Sequence, residues 1–332
     1  MKQYRVLSLT DHSKHSAQNS IYALLRKMSA HVQCASVDVG SRSIQENNSF
    51  FNGENLSQLY VINVDNTFAY DSTGENFYQH KKRVNPIDYD IIFMRLPRPI
   101  SDEYLYQLKN NFPHKIFIND PSGIILTSNK KFLLNFQELC PPIALCQNIQ
   151  DVLDFSKNQE IVLKPLKEYG GTGILRIAGS VLFNGTDKHD TVSYLKTIES
   201  NLHHEGYLAM RFLKNVSAGD KRLIVVDGQI LASSLRLPPK DSWICNVALG
   251  GISIASQATA YEQTIVNQIN PILKSNGILM YGVDTLLDDN HKRTLSEINT
   301  LSIGGFPQAE VQTGLEIIKM TLDKIFNYAD QQ

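Results

Sequence analysis

The sequence has little of several features that would restrict its class. Its 332 residues include four cysteines, and none of them forms a Cys-x-x-Cys pair, so neither a disulfide framework nor a cysteine-based zinc site is indicated. No apolar run approaches the ~20 residues that a transmembrane helix needs. The start lacks the apolar core and small-residue cleavage site of a secretory signal. We therefore expect a soluble, cytoplasmic protein that has no membrane partner.

Charge of either sign is not in excess. The chain has 32 Lys and Arg residues against 33 Asp and Glu residues, a formal net charge of −1 with neutral histidines. Because nucleic acids and anionic membranes attract basic surfaces, we expect neither as a partner. Hydrophobic residues make up 42% and charged residues 20%, which is typical of a globular protein. The length suffices for two or three packed units.

Apolar runs of strand length alternate with a helical pattern in the first 120 residues. Segment 19–31 has helical spacing, and either Asn19 or Ser20 is a suitable N-cap. Segments 40–58 and 71–86 are polar and are predicted as loops. Strands that alternate with helices indicate a doubly wound parallel sheet. The predicted strands are 5–10, 90–94 and 115–119.

The rest of the chain has a different pattern. A helix over 129–138 precedes two strands, 161–164 and 174–177, which flank the glycine turn 170–173. Such a strand–turn–strand unit is a candidate flap over a phosphate group. Further on, Asp227-Gly228 suits a two-residue type I′ turn between two strands. The other predicted elements are strands 222–226, 229–237, 280–287 and 292–299 and helices 261–275 and 311–328.

Lys164 is the first residue that suggests chemistry. The chain has neither a P-loop motif nor a strand-bound Gly-x-Gly-x-x-Gly, so a nucleotide site must be built another way. Lys164 ends an apolar strand shortly before the glycine turn, where an ammonium group and bare backbone N–H groups can bind phosphate. The alternative is a strand-end lysine beside an ordinary hairpin.

Three oxygen-bearing side chains suggest a metal site. Asp284 lies in an apolar strand, and Glu297 and Asn299 lie two residues apart on the next strand, hence on one face. Carboxylates and amide oxygens suit Mg²⁺. The alternative is a solvent-exposed strand face, although an acid inside an apolar strand argues against it. Arg222 could clamp a carboxylate or phosphate, or belong to a surface charge cluster.

Five motifs follow one another along the chain: Val162-Leu-Lys-Pro165, Gly170-Gly-Thr-Gly173, Gly219–Gly228, Gly282-Val-Asp284 and Ser296-Glu-Ile-Asn299. Taken together, they resemble the motifs of the bacterial glutathione synthetases of the ATP-grasp superfamily. This resemblance implies an α/β substrate domain (1–120) and a two-lobed, α+β ATP-grasp domain with a lid (121–205) and a catalytic subdomain (206–332). It also implies a homo-oligomer, dimer or tetramer, that uses ATP and Mg²⁺, with Mn²⁺ as an alternative ion. The substrates implied are γ-glutamylcysteine and glycine or analogues.

The resemblance implies a role for each matching residue. Lys131 and Lys164 resemble the lysines that hold the ATP phosphates, and Arg222 and Arg236 resemble catalytic arginines. Asp284, Glu297 and Asn299 resemble the magnesium ligands. The flap residues implied are Gly170, Gly171, Thr172 and Gly173, and the adenine-site residues are Met210, Arg211, Phe212 and Leu213. The substrate residues implied are Arg95, Asp220, Arg236, Asn246, Ser302, Gly304 and Gly305.

Departures from the family pattern concern the substrate side. The loop 238–246 has neither the family's glycines nor its arginine, for which Lys240 is a candidate replacement. Arg95-Leu-Pro-Arg-Pro99 lacks the family's lysine and aspartate. Two alternatives therefore stay open beside glutathione synthetase. One is an ATP-grasp ligase for another amino acid or peptide pair, and the other is a non-catalytic nucleotide-binding homologue.

Overall fold

The described residues form three β-sheets with helices packed against them. The computed structural model describes residues 2–168, 171–239, 243, 245 and 251–332. Gly170, Lys240 and Asn246, which the sequence analysis named, lie outside this described part. Within it, no helix is long and apolar enough to cross a lipid bilayer.

The first sheet is parallel at its centre, as predicted. Its described strands are β1 (Tyr4–Thr10), β2 (Cys34–Ser41), β3 (Leu59–Asn63), β4 (Lys82–Val84), β5 (Ile91–Met94) and β6 (Ile116–Ile118), in the order β4-β3-β2-β1-β5-β6. Strand β1 pairs in parallel with β2 and β5, and β5 pairs in parallel with β6. Its helices are α1 (Ser20–Ser29), α2 (Asn48–Phe51), α3 (Asp102–Asn111), α4 (Pro121–Thr127) and the 3-10 helices His12–Lys14, Gln45–Asn47, Glu75–Phe77 and Pro86–Asp88.

Local signals explain the elements that were predicted here, and tertiary contacts explain those that were not. The Asn19 side chain caps α1 by accepting the Ile21 N–H (3.0 Å).

The loop prediction is wrong for parts of 40–58 and 71–86, which contain short helices and strand residues. The buried Asn47 side chain donates to Tyr60 O (2.8 Å) and accepts the Tyr60 N–H (2.7 Å), which fixes the short helices against β3. Strand β4 pairs antiparallel with β3. Its sequence lacks the alternation of apolar and polar residues that reveals a strand, because it begins with two charged residues.

The second sheet is antiparallel, and residues 171–173 of the predicted glycine turn precede one of its strands. Its described strands are β7 (Ile143–Cys146), β8 (Ile161–Pro165), β9 (Leu175–Ala178), β10 (Val181–Asn184), β11 (Asp187–Asp190) and β12 (Tyr207–Arg211), in the order β11-β10-β9-β8-β12-β7. Helices α5 (Ile149–Ser156), α6 (Thr191–Thr197) and α7 (Glu199–His204) accompany it. The helix predicted over 129–138 is instead a 3-10 helix, Lys130–Leu139, with non-helical backbone at Phe136.

The third sheet is also antiparallel. Its described strands are β13 (Asp220–Val226), β14 (Gln229–Leu237), β15 (Ile252–Ser256), β16 (Met280–Leu287) and β17 (Arg293–Asn299), in the order β15-β14-β13-β16-β17. Asp227 (φ 48°) and Gly228 (φ 73°) both have positive φ, as a type I′ turn requires. The helices are α8 (Ala260–Ser275), α9 (Phe306–Thr313), α10 (Ile317–Asp330) and the 3-10 helix Lys214–Ala218.

The end of the chain differs from its prediction and joins the first and third sheets. The single helix predicted over 311–328 is wrong, because Gly314 (φ 69°) ends α9 in a left-handed conformation before α10 begins. In α10, Phe326 stacks on Tyr4 of β1, with ring centroids 6.0 Å apart. The Asn119 side chain donates to Met280 O (2.7 Å) and Thr300 O (2.8 Å), so the first sheet is also bound to β16.

Candidate active site

The three predicted metal ligands and six of the residues predicted to bind nucleotide line one cavity between the second and third sheets. The six are Lys164, Gly171, Met210, Arg211, Phe212 and Leu213. Its volume is about 150 Å³. We term the apolar part of its lining the apolar end and the part with ionisable side chains the polar end; the two parts meet where Lys164 Nζ lies 3.3 Å from Met210 Sδ. The apolar lining consists of Val162, Ile174, Met210, Phe212, Leu213, Val216, Trp243 and Leu286, and the polar lining includes Lys164, Asp220, Arg222, Arg236, Asp284, Ser296, Glu297 and Asn299.

The segment predicted to contact adenine, Met210 to Leu213, lines the apolar end. The backbone N–H of Arg211 already donates to Pro142 O (2.9 Å), and that of Phe212 donates to Glu160 O (2.8 Å). The Arg211 guanidinium forms an ion pair with Asp289. Of this segment's backbone N–H groups, we therefore expect that of Leu213 to donate to a ligand.

The glycine turn lies beside this cavity. Gly171 lines it, and Thr172 is exposed. Gly173 has a φ of +67°, and a Cβ atom there would come within 3.0 Å of Pro165 Cγ. A larger residue at Gly173 would therefore strain the turn between β8 and β9.

Lys164 is buried at the polar end of the cavity. Its Nζ donates to Ser296 O and Ser296 Oγ, each at 3.3 Å. Burial lowers the pKa of Lys164, while the charge of Glu297 opposes this shift. No described carboxylate forms a salt bridge with this ammonium group. An anion bound in the cavity would therefore favour the charged form of Lys164.

A second buried lysine, Lys130, lies next to the cavity residue Glu297, whereas the sequence analysis named Lys131. The Nζ atom of Lys130 lies 3.5 Å from Glu297 Oε1, and it donates to Glu168 O. The Lys131 side chain is exposed to solvent. Lys130 is therefore a further candidate for binding phosphate, and the role of Lys131 stays a prediction.

The three predicted metal ligands converge as expected from strand alternation. In the pairing of β16 with β17, Asp284 lies opposite Glu297, and Asn299 Nδ2 donates to Asp284 Oδ2 (3.3 Å). Oε1 of Glu297 is buried and accepts no hydrogen bond from the described residues. Those residues contain no cluster of three His, Cys, Asp or Glu side chains. Two carboxylates and an amide fit Mg²⁺, which completes its shell with water and phosphate.

Two arginines and two aspartates form a network next to the metal ligands. Arg222 binds Asp284 with two nitrogens, one at 2.7 Å. Arg236 binds both oxygens of Asp220 (2.7 and 2.6 Å) and also reaches Asp284 Oδ2 (3.0 Å). Burial raises the pKa of Asp220 above its ordinary value. Burial has the same tendency at Asp284, but Arg222 and Arg236 outweigh it and lower its pKa.

Gly282 explains why Arg222 can lie across the sheet. A Cβ atom at Gly282 would come within 3.2 Å of Arg222 Cδ and 3.3 Å of its Nε. The glycine in the Gly282-Val-Asp284 motif therefore leaves room for the arginine that binds the aspartate.

A second cavity, of about 460 Å³, adjoins the first and shares Arg222 and Arg236 with it. Gly304 and Gly305, both predicted as substrate residues, line this second cavity. The sequence analysis missed its neutral polar residues, because nothing local distinguishes them from surface residues. They are Ser16, Gln18, Ser233, Ser234, Ser253, Gln308 and Gln312.

Two predicted substrate residues lie elsewhere. Arg95 is buried, and its Nη2 donates to Ile303 O (2.7 Å). Ser302 Oγ donates to Arg95 O (3.1 Å), and both residues line a separate space of about 10 Å³. Burial lowers the pKa of Arg95 to about 10. The structure therefore does not bring Arg95 and Ser302 to the second cavity.

Comparison with known proteins decides the family. The family model described as "Prokaryotic glutathione synthetase, ATP-grasp domain" matches residues 129–314, more than half of the chain. The chain belongs to this family. It is therefore a glutathione synthetase-like ATP-grasp ligase, an enzyme that forms C–N bonds. A glutathione synthetase from Brucella melitensis is 30% identical over 240 residues, which are 71% of this chain and 73% of that protein.

Solved structures of other ATP-grasp proteins share the fold. The D-cycloserine synthetase DcsG matches with a TM-score of 0.64 and 11% identity, over 96% of this chain and 99% of that chain. The D-alanine–D-alanine ligase from Bacillus anthracis, complexed with ATP, has a TM-score of 0.57 and 10% identity, over 99% of both chains. At these identities the likeness concerns the fold alone.

Proposed function

We propose that this ligase joins the cysteine carboxylate of γ-glutamylcysteine to the amino group of glycine, and converts ATP to ADP and phosphate. One observation carries the proposal. Lys164 and Glu297 line the polar part of a cavity that also has an apolar part, and the buried Lys130 lies 3.5 Å from Glu297 Oε1. This arrangement suits a nucleoside triphosphate, and the Brucella melitensis relative named above is a glutathione synthetase.

The apolar end would hold the adenine base, and the polar end the phosphates. Lys130 and Lys164 would bind phosphate oxygens as charged donors. Glu297 and Asn299, with Asp284 beside them, would hold Mg²⁺, or Mn²⁺ as an alternative ion. When bound, the ion would supply positive charge that neutralises the phosphate oxygens.

The two shared arginines would act where the two cavities meet. An oxygen of the substrate carboxylate attacks the γ-phosphorus of ATP, ADP leaves, and an acyl phosphate forms. The amino group then attacks the acyl carbon, phosphate leaves, and the nitrogen loses a proton as the amide forms. Arg222 and Arg236 lie between the nucleotide end and the second cavity, where they would stabilise the negative charge on the transferred group.

Product formation with substrate omission tests this proposal. We expect ADP release only when γ-glutamylcysteine, glycine, ATP and Mg²⁺ are all present, with one glutathione formed per ADP. ADP release that does not depend on glycine would contradict the assigned acceptor. The absence of ADP release with any amino acid or dipeptide in a wider screen would contradict catalysis altogether.

A second candidate function, ligation of a different substrate pair, rests on the second cavity. Its charged lining among the described residues is Arg222 and Arg236, and both are already paired with aspartates. The other lining side chains are neutral, with no described carboxylate that could receive a substrate ammonium group. If this candidate is correct, the amino acid and dipeptide screen will give faster ADP release with another pair.

We further propose that the protein is cytoplasmic and forms a homo-oligomer, either a dimer or a tetramer.

Lys130 and Lys131 offer a matched pair of variants. We expect Lys130→Ala to lower kcat/KM for ATP by about 10- to 100-fold, because a charged hydrogen bond contributes about 1.5–3 kcal/mol. Lys131→Ala should stay within about twofold of wild type, since its side chain is exposed. Steady-state ADP release measures both. A larger loss of kcat/KM for Lys131→Ala than for Lys130→Ala would identify Lys131 as the phosphate lysine.

A further inference from the structure

Trp243 is the only tryptophan in the chain, and it lines the apolar end of the first cavity. It belongs to the segment after β14, which the family resemblance assigns to the acceptor substrate. Its ring meets that of Phe212 edge to face, with centroids 5.7 Å apart and an interplanar angle of 80°. The side chain is half-buried, so part of it faces open space.

Contacts on both sides hold this aromatic pair in place. The Arg176 guanidinium carbon lies 4.0 Å from the centroid of the Phe212 ring, and Arg176 also pairs with Glu160. Two residues after Trp243, the buried Cys245 thiol donates to Val216 O (3.7 Å). Val216 lies in the 3-10 helix Lys214–Ala218, directly after the segment that lines the adenine end. Trp243 therefore contacts Phe212 directly, and through Cys245 its segment also contacts the helix that follows the apolar end of the cavity.

The surroundings of Trp243 suit a flat heteroaromatic ring. The apolar lining of the same cavity includes Val162, Ile174, Met210, Leu213 and Leu286. Aromatic side chains stack well on nucleotide bases because every base has a π-face. With a base at Trp243 and Phe212, the phosphates would extend toward Lys164, whose Nζ lies 3.3 Å from Met210 Sδ.

We propose that Trp243 forms one wall of the nucleotide-base site, so that a residue of the acceptor-side segment contributes to nucleotide affinity. The inference rests on the proposed function, because it requires that a nucleotide base binds at the apolar end. Packing of Trp243 on Phe212 without any contact to the nucleotide is the competing interpretation.

Nucleotide binding without turnover separates these two interpretations. Emission excited at a wavelength that tyrosine does not absorb reports on Trp243 alone, so we expect saturating Mg-ADP to change its intensity or wavelength. By calorimetry, Trp243→Ala should weaken ADP binding about tenfold or more, and Trp243→Phe should recover most of this loss. Tyr106→Ala, a half-exposed aromatic on α3, serves as a control for general effects.

Inorganic tripolyphosphate, which has no base, completes the design. If Trp243 contacts the base, Trp243→Ala will leave tripolyphosphate affinity within about twofold of wild type while ADP affinity falls. An equal loss for both ligands would overturn the inference, because it would indicate a disturbed cavity. ADP binding that leaves both the emission and the Trp243→Ala affinity unaltered would also overturn it, with the proposed function intact. Failure of wild-type protein to bind any adenine nucleotide would overturn both.

Discussion

Glu297→Gln is expected to lower kcat for ADP release by about 10³-fold or more. The amide keeps the shape of the side chain but removes the charge that a divalent ion needs. It also removes the negative partner of Lys130, whose Nζ lies 3.5 Å away. Preorganised charge at the transferred phosphoryl group is usually the largest single contribution to catalysis at such a site, and the variant loses part of it. Coupled-enzyme measurement of ADP release at saturating Mg²⁺ gives the result.

The matched control is Glu199→Gln. This glutamate lies on α7 with its side chain half exposed, away from both cavities. It should leave kcat unaltered, and both variants should remain folded at the assay temperature. If Glu297→Gln kept more than a tenth of wild-type kcat, the metal assignment would be wrong.

Glu262→Ala is expected to lower the free energy of unfolding by about 3–5 kcal/mol. Glu262 is fully buried on α8, where its Oε2 accepts from Lys221 Nζ (3.1 Å) and its Oε1 from Thr285 Oγ1 (2.7 Å). It also forms a capping box with Thr259. Removal of the carboxylate leaves the Lys221 ammonium buried without a charged partner among the described residues, on the strand that also carries Arg222. Urea denaturation of the two proteins gives the difference.

The pH dependence of stability adds an independent test of Glu262. Burial by itself raises the pKa of Glu262, but hydrogen bonds from Thr259, Thr285 and Lys221 outweigh it and lower the pKa below the ordinary 4.5. A lowered pKa in the folded state stabilises the fold above pH 4.5, and this contribution is lost as the pH falls through the folded pKa. The difference in the free energy of unfolding between wild type and Glu262→Gln should therefore become smaller below about pH 4.5.

An exposed glutamate gives the comparison for both measurements. Glu103 lies in the first turn of α3 with its side chain in solvent, and accepts only from Gln107 (3.1 Å) among the described residues. Glu103→Ala should change the free energy of unfolding by less than about 0.5 kcal/mol. A loss for Glu262→Ala no larger than this would show that the buried network does not stabilise the third sheet.

Elements specified by local chemistry were predictable from the sequence. Strand β16 has the bounds that its apolar run predicts, and the hairpin turn at Asp227-Gly228 has the backbone that this dipeptide favours. Helix α8 follows from the spacing of Ile265, Ile269 and Leu273, all of which are buried. In each case the pattern within the segment is enough, because its neighbours do not change its conformation.

Features that depend on distant contacts were not predictable from local patterns. Lys130 is buried 3.5 Å from Glu297 because its 3-10 helix packs against β17. Arg95, a predicted substrate residue, donates to Ile303 O on a distant segment of the chain. Gln18 and Gln308 come together only through the packing of the first sheet against α9, and Gln308 Nε2 donates to Gln18 O (3.2 Å). No local pattern reports such a contact.

Transfer of a labelled oxygen tests the central claim most directly. The substrate is γ-glutamylcysteine with ¹⁸O in its cysteine carboxylate, incubated with ATP, Mg²⁺, glycine and the enzyme. If the carboxylate attacks the γ-phosphorus at the site of Lys164, Glu297 and Arg222, each phosphate released will carry one ¹⁸O atom, and glutathione will retain the other. Phosphate without label alongside ADP would show that water attacks ATP, and would contradict a ligase that acts through an acyl phosphate.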